Sequence, residues 1–165
     1  MYSTPPMPNR LLNIPIICLI AWLTSTCTHD TIYQSIIQLP KPIWNATECV
    51  SFAFQIQDNT QPYNLRAIIS STPDYPYQNL YVTYYLADAT QQLHKSELVN
   101  TLLFDAETGK PMGRGWRQAK RCTNVILENY YFPQAGWYTL QLVQYMRTDA
   151  LNGIQAIGIQ VQKAA

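Results

Sequence analysis

Tyr63 to Leu80 read YNLRAIISSTPDYPYQNL. This is a short alternating strand, a turn carrying two prolines, and the start of a second strand rich in aromatics. Pro73 and Pro76 each lack an N–H and hold φ fixed, so neither suits a central β-ladder and the chain must turn between Ser71 and Asn79. Asp74 is of the type that caps such a turn through its own side chain. Tyr75 and Tyr77 flank Pro76 and are predicted to fold over its ring. The stretch predicts a rigid sandwich corner, with Asp74, Tyr75, Pro76, Tyr77 and Asn79 as structural turn residues and not as a ligand site.

The rest of the chain after residue 48 repeats this signal. Val50, Phe52, Phe54 and Ile56 alternate with smaller or polar residues, as do Leu65, Ala67 and Ile69, then Leu80, Val82, Tyr84 and Leu86. Tyr138, Leu140 and Leu142 follow the same period, and Ile157, Ile159 and Val161 close the chain. A period of two is that of a strand with one buried face. Asp58-Asn59-Thr60, Glu107-Thr108-Gly109 and Leu151-Asn152-Gly153 supply turn chemistry between the runs. Gln91 to Leu103 is ambiguous: Leu98 and Leu102 are spaced for a helix, Val99, Thr101 and Leu103 for a strand. Strand is the reading adopted, with a hairpin at Glu107 to Gly109. Short strands with regular turns predict an all-β, antiparallel β-sandwich, Ig-like or jelly-roll-like, over residues 48–165. Residues 27–47 contain Pro40 and Pro42 and read as a tether. Trp44 near its end is predicted to plug one end of the core.

Residues 1–26 have the character of a leader. Arg10 is the only charged side chain before Asp30, and Leu11 to Leu23 is an almost wholly apolar run. Thirteen residues at helical rise cover roughly 20 Å, short of a hydrocarbon core of about 30 Å, so the run reads as a signal-peptide segment and not a permanent span. It ends in Leu23-Thr24-Ser25-Thr26-Cys27, small residues before a cysteine whose thiol would be lipidated. Thr26 is bulkier than the usual residue there. Cys18 is a poor alternative, lying inside the apolar run. An ordinary cleaved signal is the competing reading.

A chain of 165 residues with 47% hydrophobic content is long enough for one domain with a core. A net charge of +1 excludes strong non-specific attraction to nucleic acid. Chemistry is hard to place. His29 lies in the tether, and His94 reads as a solvent-facing loop residue with no nucleophile beside it. Cys49 and Cys122 stand apart, with no second ligand at metal spacing, and are predicted to be separate thiols. Asp105 and Glu107 are paired only in sequence, on a turn. No catalytic residues, metal, cofactor or small-molecule substrate are therefore expected. Two surface features remain. Lys110, Arg114, Arg117, Lys120 and Arg121 gather five of the eleven basic residues in one loop around Trp116, a candidate patch for an anionic partner such as lipid phosphates or an acidic protein face. Tyr75, Tyr77, Tyr81 and Tyr85 form either an exposed strip suited to sugars or ordinary cross-strand packing.

Two blocks carry a resemblance. Tyr63-Asn64-Leu65 followed by Asp74-Tyr75-Pro76-Tyr77, Asn79 and Leu80 is the first. Phe132, Pro133, Gly136, Tyr138, Thr139, then Gln144, Met146, Arg147, then Leu151, Gly153, Ile154 and Gly158 form the second. In this order they resemble the GldH family, the gliding motility lipoproteins of Bacteroidetes, over nearly the whole region after the leader. Ile157 stands where valine is usual, and Gly113-Arg114-Gly115-Trp116-Arg117-Gln118 replaces a glycine-rich stretch running into Gly-Asp. The resemblance implies lipidation at Cys27, a cell-envelope location, and a non-catalytic role supporting gliding and the associated type IX secretion machinery through other envelope proteins. The periplasmic face of the outer membrane is the expected location. The alternative is a lipid-anchored sandwich that binds carbohydrate or another ligand outside any motor.

Overall fold

The structure, a computed structural model, describes residues 30–115 and 120–164. The leader and Cys27 lie outside the described residues, as do Trp116 and Arg117. Two four-stranded antiparallel sheets face each other. The first runs β1 (Thr31–Gln38), β10 (Ile154–Lys163), β4 (Tyr63–Ser71), β7 (Lys120–Tyr130). The second runs β3 (Val50–Ile56), β8 (Gly136–Gln144), β5 (Asn79–Asp88), β6 (Leu93–Leu102). Two short strands, β2 (Ile43–Asn45) and β9 (Ala150–Asn152), pair at one end.

Among the eight long strands the pairing is nested. First pairs with last, second with seventh, third with sixth and fourth with fifth: β1 with β10, β3 with β8, β4 with β7, β5 with β6. That is one long hairpin rolled over itself, the jelly roll of two packed sheets. The Ig-like form of the expected sandwich is thereby set aside.

The alternating runs bury the predicted faces. Val50, Phe52, Phe54 and Ile56 on β3 meet Leu65, Ala67 and Ile69 on β4 and Ile157, Ile159 and Val161 on β10 in one core. Each fully buried aliphatic or aromatic side chain stabilises the fold by about 1.5–3 kcal/mol. The ambiguous stretch at 91–103 is a strand, and Phe104 bridges Pro111 across the predicted hairpin. At one end Phe132 packs against Tyr138 (ring centroids 4.6 Å), Tyr130 (4.9 Å) and Tyr63 (5.7 Å).

The expected tether is a correction. From Thr31 on it is β1, an edge strand that turns Tyr33 onto Phe54. Thr31 Oγ1 accepts from Gln160 and Gln162 of β10 at 3.2 and 3.0 Å. Along β1, Ile32 and Ile37 are exposed and there is no clean alternation. Trp44 is fully buried and donates Nε1–H to Glu48 O at 3.0 Å.

The corner at 72–78 differs in detail from its reading. Asp74 is exposed, and the turn is closed by Tyr75 N–H to Thr72 O at 3.2 Å. Tyr75 and Tyr77 part company over Pro76: Tyr75 is buried with its ring parallel to Phe104, and Tyr77 is exposed and edge-on to Tyr75. Tyr75 O–H donates to Asn79 O at 2.8 Å. Beneath this corner lies Gly153, at φ +86°. A Cβ there would sit 2.6 Å from the Tyr75 Cα. Gly153 also accepts Thr72 N–H and donates to Pro42 O, at 2.8 and 2.7 Å.

Nesting sorts the connections by end. Asp30 and Ala164 lie at one end with the short turns 57–62, 89–92 and 131–135. The longer connections 39–49, 72–78 and 145–153, and the described residues 103–115 of the link from β6 to β7, all lie at the other. An eight-residue β1 separates the ends by about 23 Å along the strand.

Gly153→Ala should cost about 2–3 kcal/mol, since it adds a left-handed conformation that L side chains disfavour to a clash with backbone. Urea unfolding should show a lower midpoint with an unchanged slope. A midpoint within error of wild type would mean that the corner yields freely.

Candidate functional site

The connection 103–119 crosses from the second sheet to the first at the far end. Asp105 shapes its hairpin, accepting from Glu107 N–H, Thr108 N–H and Thr108 O–H at 3.2, 2.8 and 2.7 Å. These bonds favour the charged carboxylate, so its pKa lies below the usual range. Met112 N–H donates to Leu103 O at 2.7 Å, and the Cys122 thiol donates to Met112 O at 2.9 Å. Gly113, at φ +98°, then lies so close to the backbone of Arg121 that no side chain fits between them.

Arg114 and Arg121 follow as a directly opposed pair that exchanges both backbone hydrogen bonds, at 3.0 and 2.8 Å. Together with Gly115, Gln38 of β1, Ser70 of β4 and Gln155 of β10, they line a hollow of about 470 Å³. Lys120 sends Nζ to Gly115 O at 2.7 Å and pins the loop from the other side. Lys110 lies on the hairpin and does not line the hollow. So the structure brings Arg114, Lys120 and Arg121 together and separates Lys110. Gln38, Ser70 and Gln155 went unnoticed in sequence because each sits on a different strand, and only the sheet order collects them.

A second hollow, about 370 Å³, lies beside the Pro76 corner. It is lined by Tyr75, Pro76, Tyr77, Gln78 and the hairpin residues Phe104 to Ala106 and Gly109. Asn79, at the start of β5, donates Nδ2–H to Asn100 Oδ1 at 2.8 Å.

The tyrosine strip does not form as one. Tyr75 is buried, whereas Tyr81 and Tyr85 point outward from β5 with Leu98 and Leu102 beside them on β6. The register places Ser51, Ala53 and Gln55 of β3 and Trp137, Thr139, Gln141 and Val143 of β8 on the same outer face. That face contains no ionisable Asp, Glu, Lys or Arg. Leu98 and Trp137 are 52% and 55% exposed there.

His94 is also a correction. It is not a loop residue but lies on β6, its side chain 13% exposed, with Nε2 2.9 Å from Asp88 Oδ2 and its ring against Tyr138. Asp88 Oδ1 accepts from Thr90 O–H, Thr90 N–H and Gln92 N–H at 2.7, 2.8 and 3.1 Å. Bonds from Thr90, then His94, hold its carboxyl down at about 2 against an ordinary 3.8. Both carboxylate oxygens are thus engaged by the β5–β6 turn, and the pair serves as a turn lock. Among the described residues no three His, Cys, Asp or Glu are placed to hold a metal. Cys49 and Cys122 are both free thiols, the first exposed, the second buried with its pKa raised by burial.

Fold and surface together define a jelly-roll β-sandwich whose irregular residues lock turns and whose exposed features are faces and shallow hollows. The chain belongs to the GldH lipoprotein family, whose model matches residues 31–161. It is 25% identical over 151 residues to the gliding motility lipoprotein GldH homolog of Christiangramia forsetii, covering 86% of this chain and 90% of that one. It is 24% identical over 163 residues to the gliding motility lipoprotein GldH of Flavobacterium johnsoniae, covering 93% and 98%. Among solved structures it is similar to the VP2 subviral particle of infectious bursal disease virus (TM-score 0.38, 13% identity, 82% of this chain and 30% of that one). Dimeric latent PorU from Porphyromonas gingivalis gives 0.31, 11%, 81% and 13%. Neither of these two similarities bears on function.

Asp88 should give acid stability a definite shape. Its folded pKa is depressed, so its contribution is fully present above about 3.8 and is lost as pH falls through about 2. Asp88→Asn should flatten the unfolding free energy across that window, measured by urea titration at each pH; an unchanged acid limb would count against the lock. With the thiols, native alkylation should label Cys49 quickly and Cys122 only after denaturation. Reductant should not change the mass of either product, whereas a reductant-dependent gain would reveal a bridge.

Proposed function

We propose that this chain is a non-catalytic envelope protein, anchored through a lipid on Cys27 at the periplasmic face of the outer membrane. In this reading it supports gliding motility and the associated type IX secretion machinery by contacting other envelope proteins through the loop at 110–121. The observation that carries the reading is the family match across residues 31–161, joined to relatives described as gliding motility lipoproteins over nearly their whole length. The far-end position of the loop supports it. Asp30 is at the near end, and three residues span at most about 11 Å between it and Cys27. The domain would then sit close to its membrane with the long connections held away.

A second reading has one observation in its favour. The uncharged outer face of the second sheet sets Tyr81, Tyr85 and Trp137 among Ser96, Gln141 and Thr139, a mixture of flat rings and neutral hydrogen-bonding groups that suits sugar. Capture in mild detergent separates the two. Motility or secretion subunits favour the first reading, and glycan retention without protein partners favours the second.

Cys27→Ala should move the protein into the soluble fraction or leave the precursor uncleaved. Acyl chains contribute about 0.8 kcal/mol per buried methylene, so their loss should be plain on fractionation. A mutant that is processed normally and still pellets with membranes would overturn the anchor.

A further inference from the structure

We propose that the hollow between Arg114 and Arg121 is a carboxylate site that takes an acidic segment of a partner protein, held at the end of the sandwich away from the anchored membrane. The placement away from the membrane rests on the Cys27 reading above; the chemistry of the site does not.

The first argument is charge. Arg114 and Arg121 occupy a hydrogen-bonded, directly opposed pair, a position where like charges repel. Among the described residues no carboxylate pairs with either. The three ion pairs among the described residues join His94 to Asp88, Lys95 to Glu97 and Lys163 to Asp30, all elsewhere. The other lining groups, Gln38, Ser70, Gly115 and Gln155, are neutral. An anion seated between the guanidinium groups would remove the repulsion and gain charge-assisted hydrogen bonds, and the planar fork of arginine matches a carboxylate in two-point fashion.

The second argument is that the site is fixed. Gly113 lies against the backbone of Arg121 without room for a Cβ, Cys122 holds Met112, and Lys120 holds Gly115. A backbone held in this way carries its two arginines with less freedom to lose on binding than a loose loop would have.

The third argument selects the source of the anion. The hollow borders Gln38 at the last residue of β1 and Gln155 near the first of β10. Asp30, nearest the anchor, lies at the opposite end of β1, about 23 Å away along the strand. A domain upright on about 11 Å of tether at its other end would hold the hollow clear of the lipid phosphates of its membrane. A soluble or facing protein can reach it.

The test uses the full mature protein in mild detergent, titrated with a fluorescent oligoglutamate peptide. Saturable binding is expected, weakened at least tenfold by Arg114→Glu with Arg121→Glu and progressively by salt. Binding should persist when the protein is anchored in phosphatidylglycerol vesicles. Since Arg121 lies in β7, Arg114→Gln is the second variant; its backbone bonds are retained, and it should weaken binding severalfold at a thermal midpoint no lower than wild type, because the repulsion is relieved. Peptide binding indifferent to these variants would overturn the site. So would inorganic phosphate displacing the peptide at equal or lower concentration, or loss of peptide binding on anchoring in anionic vesicles. If Cys27→Ala stays with the membrane while the detergent titration behaves as expected, only the anchor reading fails; the opposite pattern removes the site and leaves the anchor.

Discussion

Gly153 lies against Tyr75 with no room for a Cβ between them, and the far end of the sandwich is built around that approach. Four separate connections meet there. Gly153 belongs to the β9–β10 turn, its N–H reaches Pro42 before β2, and its carbonyl receives Thr72 from the β4–β5 corner. Tyr75 passes the contact on, stacking on Phe104 of the long connection from β6 to β7. Glycine is required twice over, because φ is +86° and because backbone approaches backbone. Both conspicuous sequence blocks thus contribute one side each of a single joint. Their spacing along the chain is large only because a nested hairpin brings its early and late turns to the same end.

The same logic accounts for most of the second block. Gln144 is buried and folds its own turn, donating to Thr148 O at 2.9 Å and accepting Met146 N–H at 2.7 Å. Met146 Sδ in turn receives Tyr81 N–H at 3.4 Å. Phe132 and Tyr138 form the aromatic plug of the near end, and Tyr138 O–H closes its turn on Gln134 O. Gly158 permits Ile36 to lie where a Cβ would be, 2.7 Å away. These residues hold turns and packing. A motif of this kind identifies a fold more readily than it identifies a binding surface, and the surface has to be sought among residues the fold does not need.

Legibility followed burial. The strands β3, β5 and β8 bury one clean face and expose the other, so their period of two was plain in the sequence. Two of the edge strands, β1 and β6, were harder, although the edge strand β3 alternates cleanly. In β1 both faces are half-exposed and a register shift falls between Thr31 and Tyr33, so the segment read as a tether. In β6 Leu98 and Leu102 lie on the exposed outer face, and apolar residues there mimicked a helical spacing. His94 escaped for another reason: its partner Asp88 lies across a hairpin, and six residues of separation signify nothing until the turn is drawn. The basic loop was visible as composition. Which of its members converge was not, since Gln38, Ser70 and Gln155 come from three strands that only the sheet order makes neighbours.

Nesting also divides labour between the two ends. In an antiparallel roll, connections alternate between ends, so a chain that begins and finishes at one end must leave four of its seven connections at the other. Here the near-end turns 57–62, 89–92 and 131–135 are short, and the far-end connections are the long ones. Short turns leave little exposed side-chain variety, whereas long connections can carry binding residues on a rigid scaffold at modest entropic cost. The Arg114–Arg121 pair and the Tyr77 corner are both products of that asymmetry. An anchor at Cys27, three residues before Asp30, would make the asymmetry directional, placing the plain end against its support and the varied end outward.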